Sequence, residues 1–305
     1  AMFATALNKK LLRDLVHLRG QAIAIALVIA AGVATLILAT GVHSSLNETR
    51  QTYYDRYRFA DVFSAARRAP DYLKERLARI PGVAAVETRI AFPVLLDIEG
   101  MRAPASGRLI SLPTFGPPAL NALFLRSGRL PDPNRDDEIV VNEPFAKANH
   151  FQLGSKLKAI LNGRKRELTI VGIALSPEFI YAIAPGELVP DDRRFGVLWM
   201  SHDAAAGAFN LTGAFNDVSL KLRRDAVEPE VIAQVNAILA PYGGTDAYSR
   251  KDQQSNAFLD AELQQLEAMS YIIPPIFMAV AAFLLNMTLA RIIALEREQI
   301  GLLKA

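Results

Sequence analysis

The feature that most constrains this chain is an uncharged apolar stretch near its beginning, residues 21–42. At a rise of 1.5 Å per residue, a helix of about 20 residues spans the roughly 30 Å hydrocarbon core of a bilayer. A second uncharged stretch, residues 271–290, contains Pro274 and Pro275 close to its outer end, where a bend is tolerated. A signal peptide would have a shorter apolar core and a shorter basic region. The sequence therefore predicts two transmembrane helices.

The charges that flank these stretches predict their orientation. The short flanks are rich in lysine and arginine: Lys9, Lys10, Arg13 and Arg19 before the first stretch, and Arg291, Arg297 and Lys304 after the second. Basic residues in short flanks stay on the cytoplasmic side of the membrane. Residues 1–20 and 291–305 are therefore expected in the cytoplasm, and the chain between the two helices outside.

Small side chains recur in the first apolar stretch at every fourth position, at Ala26, Ala30 and Ala34. In lipid, such a stripe lets two helix backbones approach closely. The alternative is that alanine is simply abundant here. We expect these three residues to pack against another helix.

Each apolar stretch is expected to continue outward as a helical stalk, over residues 43–58 and 251–270. In the second stalk, Leu259, Leu263 and Leu266 are spaced by three and four residues and so share one face of a helix. This spacing is typical of packing between helices. The two stalks are predicted to pack together and to connect the outer domain to the membrane.

The region between the stalks is predicted to be α+β. Two similar strand–helix–strand units are expected at its ends: residues 61–66, 71–80 and 83–88 in the first, and residues 217–222, 229–239 and 245–248 in the second. Together, residues 59–94 and 213–250 would form one porter-like α+β module. Residues 95–212 are dense in Pro and Gly and predict a mostly-β insertion, with strands near 138–142, 155–160, 167–175 and 196–200 and a short helix near 144–148.

No sequence motif for catalysis or for cofactor or metal binding is found. The chain has no cysteine, which excludes a disulfide framework and a thiolate metal site. Its four histidines are far apart in sequence, and the acidic run 136–138 lacks the spacing of a calcium loop. The net charge is only +3, and no basic stripe with interleaved aromatic residues is present, so nucleic-acid binding is not expected.

The last segment carries the most specific signal. Residues 291–305, RIIALEREQIGLLKA, form a charged amphipathic segment suited to docking against a cytoplasmic partner. Within it, residues 296–305 resemble the cytoplasmic exit of the second span in MacB/FtsX-like ABC transporter permeases, the type VII or mechanotransmission family. Residues 137–143 and 168–173 also resemble the periplasmic core domain of that family, in which a porter-like part carries a mostly-β (Sabre-like) insertion.

This resemblance implies a non-catalytic permease subunit of the bacterial inner membrane. Its expected partner is a cytoplasmic ABC ATPase dimer, which would bind the ATP and magnesium, so that no cofactor is expected in this chain. The ATPase-coupling residues would be Arg297, Glu298, Ile300, Gly301, Leu302, Leu303 and Lys304. Further implied partners are membrane lipid, a second permease half or a second copy, and a periplasmic adaptor. Family members continue with more spans, so the chain is expected to end within the coupling segment.

Two alternatives share the two-span arrangement. One is an extracytoplasmic ligand sensor, which would need a cytoplasmic signalling module after the second span. The other is a polysaccharide co-polymerase, which would need long uninterrupted external helices. The Pro/Gly-dense region argues against the second alternative.

Overall fold

The computed structural model describes residues 19–101 and 103–302, and it contains two long helices and two β-sheets. The helices are α1 (Arg19–Arg56), α2 (Leu73–Ala78), α3 (Glu143–Ala148), α4 (His202–Phe209), α5 (Glu228–Leu239) and α6 (Gln254–Leu302). The strands are β1 (Val62–Pro70), β2 (Val83–Arg89), β3 (Ala91–Asp97), β4 (Ala105–Leu112), β5 (Phe124–Gly128), β6 (Glu138–Asn142), β7 (Lys156–Leu161), β8 (Arg164–Leu175), β9 (Phe195–Ser201), β10 (Ala214–Leu222) and β11 (Tyr248–Ser249). The predicted α+β class is confirmed.

The chain divides into two compact units. One comprises Arg50–Asp260, and the other combines the residues before it with those after it. Both sheets lie in the Arg50–Asp260 unit, which we call the external domain after the location predicted for it from the sequence.

The first sheet has four antiparallel strands in the order β11-β1-β10-β2. The units β1-α2-β2 and β10-α5-β11 interleave in it, which is the split βαβ arrangement of ferredoxin-like folds. The two similar units predicted from the sequence therefore do meet in one sheet. Because β1 and β10 come from opposite ends of the external domain, residues 90–213 form an insertion between the two halves of the module.

The helices of this module cover one face of the sheet. In α5, Val231, Val235 and Leu239 are fully or almost fully buried and lie four residues apart, so they form one apolar stripe. They pack with Leu73 and Leu77 of α2 in the same core. A proline in the first turn of α5 helps to begin that helix, because its missing N–H has no partner there in any case.

The second sheet has seven strands in the order β5-β8-β6-β9-β4-β3-β7. An additional pairing of β8 with β7 closes six of these strands into a ring, which we call the barrel. The long strand β8 makes closure possible, because Thr169 pairs with β6 on one edge and with β7 on the other. The predicted strands near 138–142, 155–160, 167–175 and 196–200 correspond to β6, β7, β8 and β9.

One end of the barrel core is filled by Phe145 of α3, whose side chain is fully buried. Gly196 of β9 lies next to the Phe145 ring. A Cβ built on that glycine would be 2.9 Å from three of the ring atoms. Any larger residue at this position would therefore displace the ring. The short helix predicted near 144–148 is confirmed by α3.

Three elements differ from the sequence expectations. The predicted boundary of the porter-like module at residue 94 is wrong, because β3 begins at Ala91 and pairs with β4 in the second sheet. Pro93 is tolerated in this strand because β7 pairs only with residues 95–97, which leaves the first half of β3 with a free edge. α4 follows a cap in which Ser201 Oγ accepts the Ala204 N–H at 3.4 Å, a signal that the sequence interpretation overlooked. The strand predicted at 245–248 is wrong in extent, since β11 has only two residues and β1 is irregular where Thr245 joins it.

Among the described residues, the other unit consists of the parts of α1 and α6 that lie outside Arg50–Asp260. Among the described residues, one stretch, within Gln254–Arg291 of α6, is long and apolar enough to cross a membrane, with a mean hydropathy of 2.0. In α1 the corresponding apolar segment, Ile23–Leu38, is shorter than that length. Large apolar side chains in both helices are exposed, among them Leu27, Ile37 and Phe283. The two-span arrangement stays a prediction.

Within this unit, α1 and α6 approach closely at Gly32. A Cβ built on Gly32 would be 3.1 Å from Phe277 Cβ, so a small residue is needed here. Ala26, Ala30 and Ala34 are exposed, and their predicted packing against another helix stays a prediction.

The predicted leucine seam of α6 is unevenly buried. Leu263 is buried, whereas Leu266 is 40% exposed. The backbone of α6 is helical to Leu302, while Leu303 and Lys304 of the predicted coupling segment lie outside the described residues.

Candidate functional site

The external domain holds the end of α1 and the start of α6 in one place. α1 ends at Arg56, and the chain turns at Arg58, which has a positive φ of 50°. The Phe59 N–H donates back to the Tyr54 carbonyl at 2.9 Å and closes the helix end. Phe59 is fully buried against Tyr54, with the two ring centroids 4.6 Å apart. The direction in which the chain leaves the helix is thereby fixed.

Four side chains connect α1 directly to α6, and we call Arg50, Tyr54, Asn256 and Asp260 the helix clamp. The Tyr54 hydroxyl donates to Asn256 Oδ1 at 2.9 Å, and Asn256 Nδ2 donates to Asp260 Oδ2 at 2.8 Å. Asp260 also forms an ion pair with Arg50. Burial raises the pKa of Tyr54 to about 12, so its hydroxyl stays a neutral donor.

Arg250 links the segment before α6 to the segment after α1. Its guanidinium donates to the carbonyls of Ala60 at 2.8 Å and Phe59 at 2.9 Å, and it forms an ion pair with Asp61. It also lies over the rings of Tyr54 and Phe59, 5.6 Å and 5.0 Å from their centroids. Cation–π contacts and charge-assisted hydrogen bonds are stronger away from water.

Behind these contacts lies an ion network of Arg89, Glu178 and Asp217, which are buried, and Arg108, which is partly exposed. We call these four residues the buried ion network. Arg89 on β2 pairs with Asp217 on the neighbouring strand β10, and each is less than a tenth exposed. The Arg89 guanidinium donates to Asp217 Oδ1 at 2.6 Å and to Glu178 Oε2 at 2.6 Å, and Arg108 on β4 donates to Asp217 Oδ2 at 3.0 Å. The network therefore joins the four-stranded sheet to the barrel.

Protonation of this network is set by opposing effects. Burial alone would lower the pKa of Arg89, but the charges and hydrogen bonds of Asp217 and Glu178 raise it above its usual value. Arg89 is therefore charged at any physiological pH. A buried charge of this kind is tolerated because two carboxylates surround it.

Polar side chains connect the ion network to both long helices. Asn121 Oδ1 accepts the Ala60 N–H just after α1 at 2.9 Å, and its Nδ2 donates to Glu178 Oε2 at 3.1 Å. Gln253, just before α6, donates to the Glu178 carbonyl at 2.7 Å, and Ser255 Oγ in the first turn of α6 accepts the Tyr181 N–H at 2.9 Å. Both helices are thus attached to both sheets.

Only one of the site residues predicted from the sequence lies in this part of the external domain. Leu259 packs against the cluster that contains Tyr54 and Phe59. The residues predicted to couple to an ATPase are not in the external domain, and the side chains of residues 297–302 are outside what the structure describes.

The charged residues of the buried ion network were not predicted from the sequence. Arg89 follows one predicted strand and Asp217 opens another, so opposite charges at facing strand ends could have indicated that pair. Glu178, in a Pro/Gly-dense loop, gave no such signal.

Within residues 19–101 and 103–302, no group of three or more histidine or acidic residues could hold a metal ion. The acidic run 136–138 is instead engaged with arginines: Arg135 donates to Asp137 at 2.8 Å, and Arg129 donates to Glu138 at 2.6 Å. Hydrogen bonds from these arginines lower the pKa of both carboxyl groups. The run has a structural role in the turn before β6.

No family model and no curated protein matches the sequence. Among solved structures, the chain is similar to the periplasmic region of MacB from Actinobacillus actinomycetemcomitans, with 12% identity and a TM-score of 0.40 over 67% of this chain and 92% of that one. It is also similar to the extracellular domain of the noncanonic ABC-type transporter YknZ from Gram-positive bacteria, with 12% identity and a TM-score of 0.38 over 62% and 98% of the two chains. The resemblance to MacB/FtsX-like external domains is thus found in the structure comparison as well as in the sequence.

Proposed function

We propose that this chain belongs to the permease of an ABC transporter, which relays movement from a cytoplasmic ATPase to a domain outside the membrane. The observation that supports it best is the attachment of both long helices to one external domain through the helix clamp, Arg250 and the buried ion network. A shift of either helix would have to move the four-stranded sheet and the barrel together, because buried polar networks have few alternative arrangements.

The remaining parts of the proposal rest on the sequence. Residues 21–42 and 271–290 would cross the bacterial inner membrane, with the external domain in the periplasm. A separate ATPase dimer would bind ATP and magnesium and contact Arg297, Glu298, Ile300, Gly301, Leu302, Leu303 and Lys304. A second permease half or a second copy would complete the membrane part, together with lipid and a periplasmic adaptor. The chain itself would carry out no chemical reaction.

The first test is co-purification of an ATPase with the native full-length protein from membranes in mild detergent. We expect an ABC ATPase in the eluate of the parent protein and at least about a tenfold loss in Ile300→Asp and Leu303→Asp, because a charge in an apolar contact is costly to bury. Leu188→Asp is the matched control, since Leu188 is 88% exposed on the external domain. Absence of any ATPase from the parent eluate would contradict the proposal and favour the ligand sensor.

A second test addresses the relay itself. Asp260→Asn removes the charge of the helix clamp but keeps its shape, so we expect the ATPase to co-purify as before. We also expect ATP to change hydrogen–deuterium exchange in residues 61–70 of the parent protein but not of this variant. Glu230→Gln, an exposed change on α5, is the control. An identical ATP response in parent and Asp260→Asn would show that the clamp carries no movement.

A further inference from the structure

A cleft of about 510 Å³ lies in the external domain beside the buried ion network. Its walls are the outer sides of β3 and β4, the loop that follows β8, and the first turn of α6. This volume is within the roughly 300–1,000 Å³ that is usual for small-molecule sites. No part of the proposed relay requires such a space.

The lining of the cleft is rich in aromatic rings. It includes the rings of Phe92, Phe179, Tyr181, Phe195 and Tyr248. Phe92, Phe179 and Tyr181 are partly buried and Tyr248 is 40% exposed, so part of each of these four rings is accessible, whereas Phe195 is buried. Hydroxyl and amide groups of Ser106, Tyr248 and Gln254 add a few hydrogen-bonding positions. Burial raises the pKa of Tyr248 to about 12, so its hydroxyl is neutral.

The charges at the inner wall of the cleft are already balanced. Arg108 and Glu178 line it, but Arg108 donates to Asp217 and Glu178 accepts from Arg89. Glu187, the third charged lining residue, is at the exposed rim. At this inner wall a charged ligand would therefore lose its hydration without gaining an unbalanced opposite charge, which is unfavourable.

From this lining we infer that the cleft binds a neutral, ring-containing amphipathic small molecule. Its rings would stack on the aromatic walls, and its polar group would face Ser106, Tyr248 and Gln254.

The position of the cleft gives the ligand a path to α6. Residues 178–181 form one wall, and this wall is bonded to α6 through Gln253 and Ser255. The rings of Tyr181 and Phe258 also meet edge to face, 4.8 Å apart. A ligand that shifts this wall would shift the first turn of α6. The binding site stands without the proposed relay, whereas the step from binding to helix movement rests on it.

The chain provides its own reporter for a binding experiment. Trp199 is its single tryptophan, and its ring lies 6.3 Å from that of Phe179 in the cleft wall. Dansyl amide is neutral and contains fused rings, and it accepts energy from tryptophan. We expect saturable energy transfer from Trp199 to dansyl amide in this chain in lipid nanodiscs, above the signal of empty nanodiscs. The carboxylate dansyl glycine should bind at least about tenfold more weakly.

Two variants locate the binding site. Ser106→Phe would fill the cleft and should weaken dansyl amide binding at least about tenfold, whereas Ser127→Phe, on the exposed strand β5, should leave it unchanged. Gln254→Phe, at an exposed rim position, repeats the test if Ser106→Phe does not fold. Transfer that does not saturate, or equal affinity in parent and filled variants, would overturn the site.

Hydrogen–deuterium exchange separates the two parts of the inference. Dansyl amide should slow exchange in residues 254–260. Binding without that change would overturn the link to α6 and leave the site intact, whatever the outcome of ATPase co-purification.

Discussion

Replacing Arg89 with methionine is expected to lower the free energy of unfolding of the external domain by about 3–5 kcal/mol. Arg89 is 6% exposed and bonds two carboxylates, Glu178 and Asp217, which are themselves less than a tenth exposed. Without Arg89, Glu178 would lose its arginine partner, and Asp217 would keep only the partly exposed Arg108. The loss would come mainly from this incompletely paired negative charge and less from the ion pairs themselves.

A set of combined variants tests this origin of the loss. If unpaired charge is the cause, adding Glu178→Gln and Asp217→Asn to Arg89→Met should bring stability back to within about 2 kcal/mol of the parent protein. Arg126→Met is the matched control, since the Arg126 side chain is 47% exposed and its ion pair with Glu143 should contribute less than about 1 kcal/mol. Urea unfolding followed by the emission of Trp199 measures all of these variants. A triple variant no more stable than Arg89→Met would rule out this explanation.

Phe145→Ala is the second substitution expected to have a large effect, again about 3–5 kcal/mol. The Phe145 ring is fully buried at the end of the barrel and packs against Phe151, with centroids 5.7 Å apart. Because Gly196 already touches the ring with its backbone and has no side chain, the cavity left by alanine cannot be filled from that side. The surrounding structure would relax only partly.

Phe115→Ala is the control for this prediction, because it removes the same atoms from a residue that is 90% exposed. Its effect should stay below about 0.5 kcal/mol. Equal losses in the two variants, measured by the same urea unfolding, would mean that Phe145 does not hold the barrel core together.

Much of the external domain could be predicted from the sequence. Strands with continuous apolar runs, such as residues 138–142 and 196–200, are buried on both faces and were recognised by composition alone. Helix α5 was recognised from its spacing and its early proline. These signals are local, so no knowledge of the tertiary structure was needed.

The site itself was largely unpredictable, for a physical reason. The helix clamp joins Tyr54 to Asn256, and the ion network joins Arg89 to Glu178 and Asp217. Each pair is brought together by the fold from distant parts of the chain, and polar residues of these types are common on ordinary surfaces. The closure of the barrel through β7 and β8 depends on strand register, which periodicity does not specify.

The strands of the four-stranded sheet come from two distant parts of the chain, and this has a consequence for biogenesis. Its central pair joins Val62 to Leu220, while the barrel is built entirely from the chain between them. As the chain is synthesised, the barrel can close early, but β1 and β2 must wait unpaired until β10 emerges. Long-range strand pairing is slow, and an unpaired strand is prone to aggregation. We therefore expect a chaperone to act on β1 and β2 during synthesis.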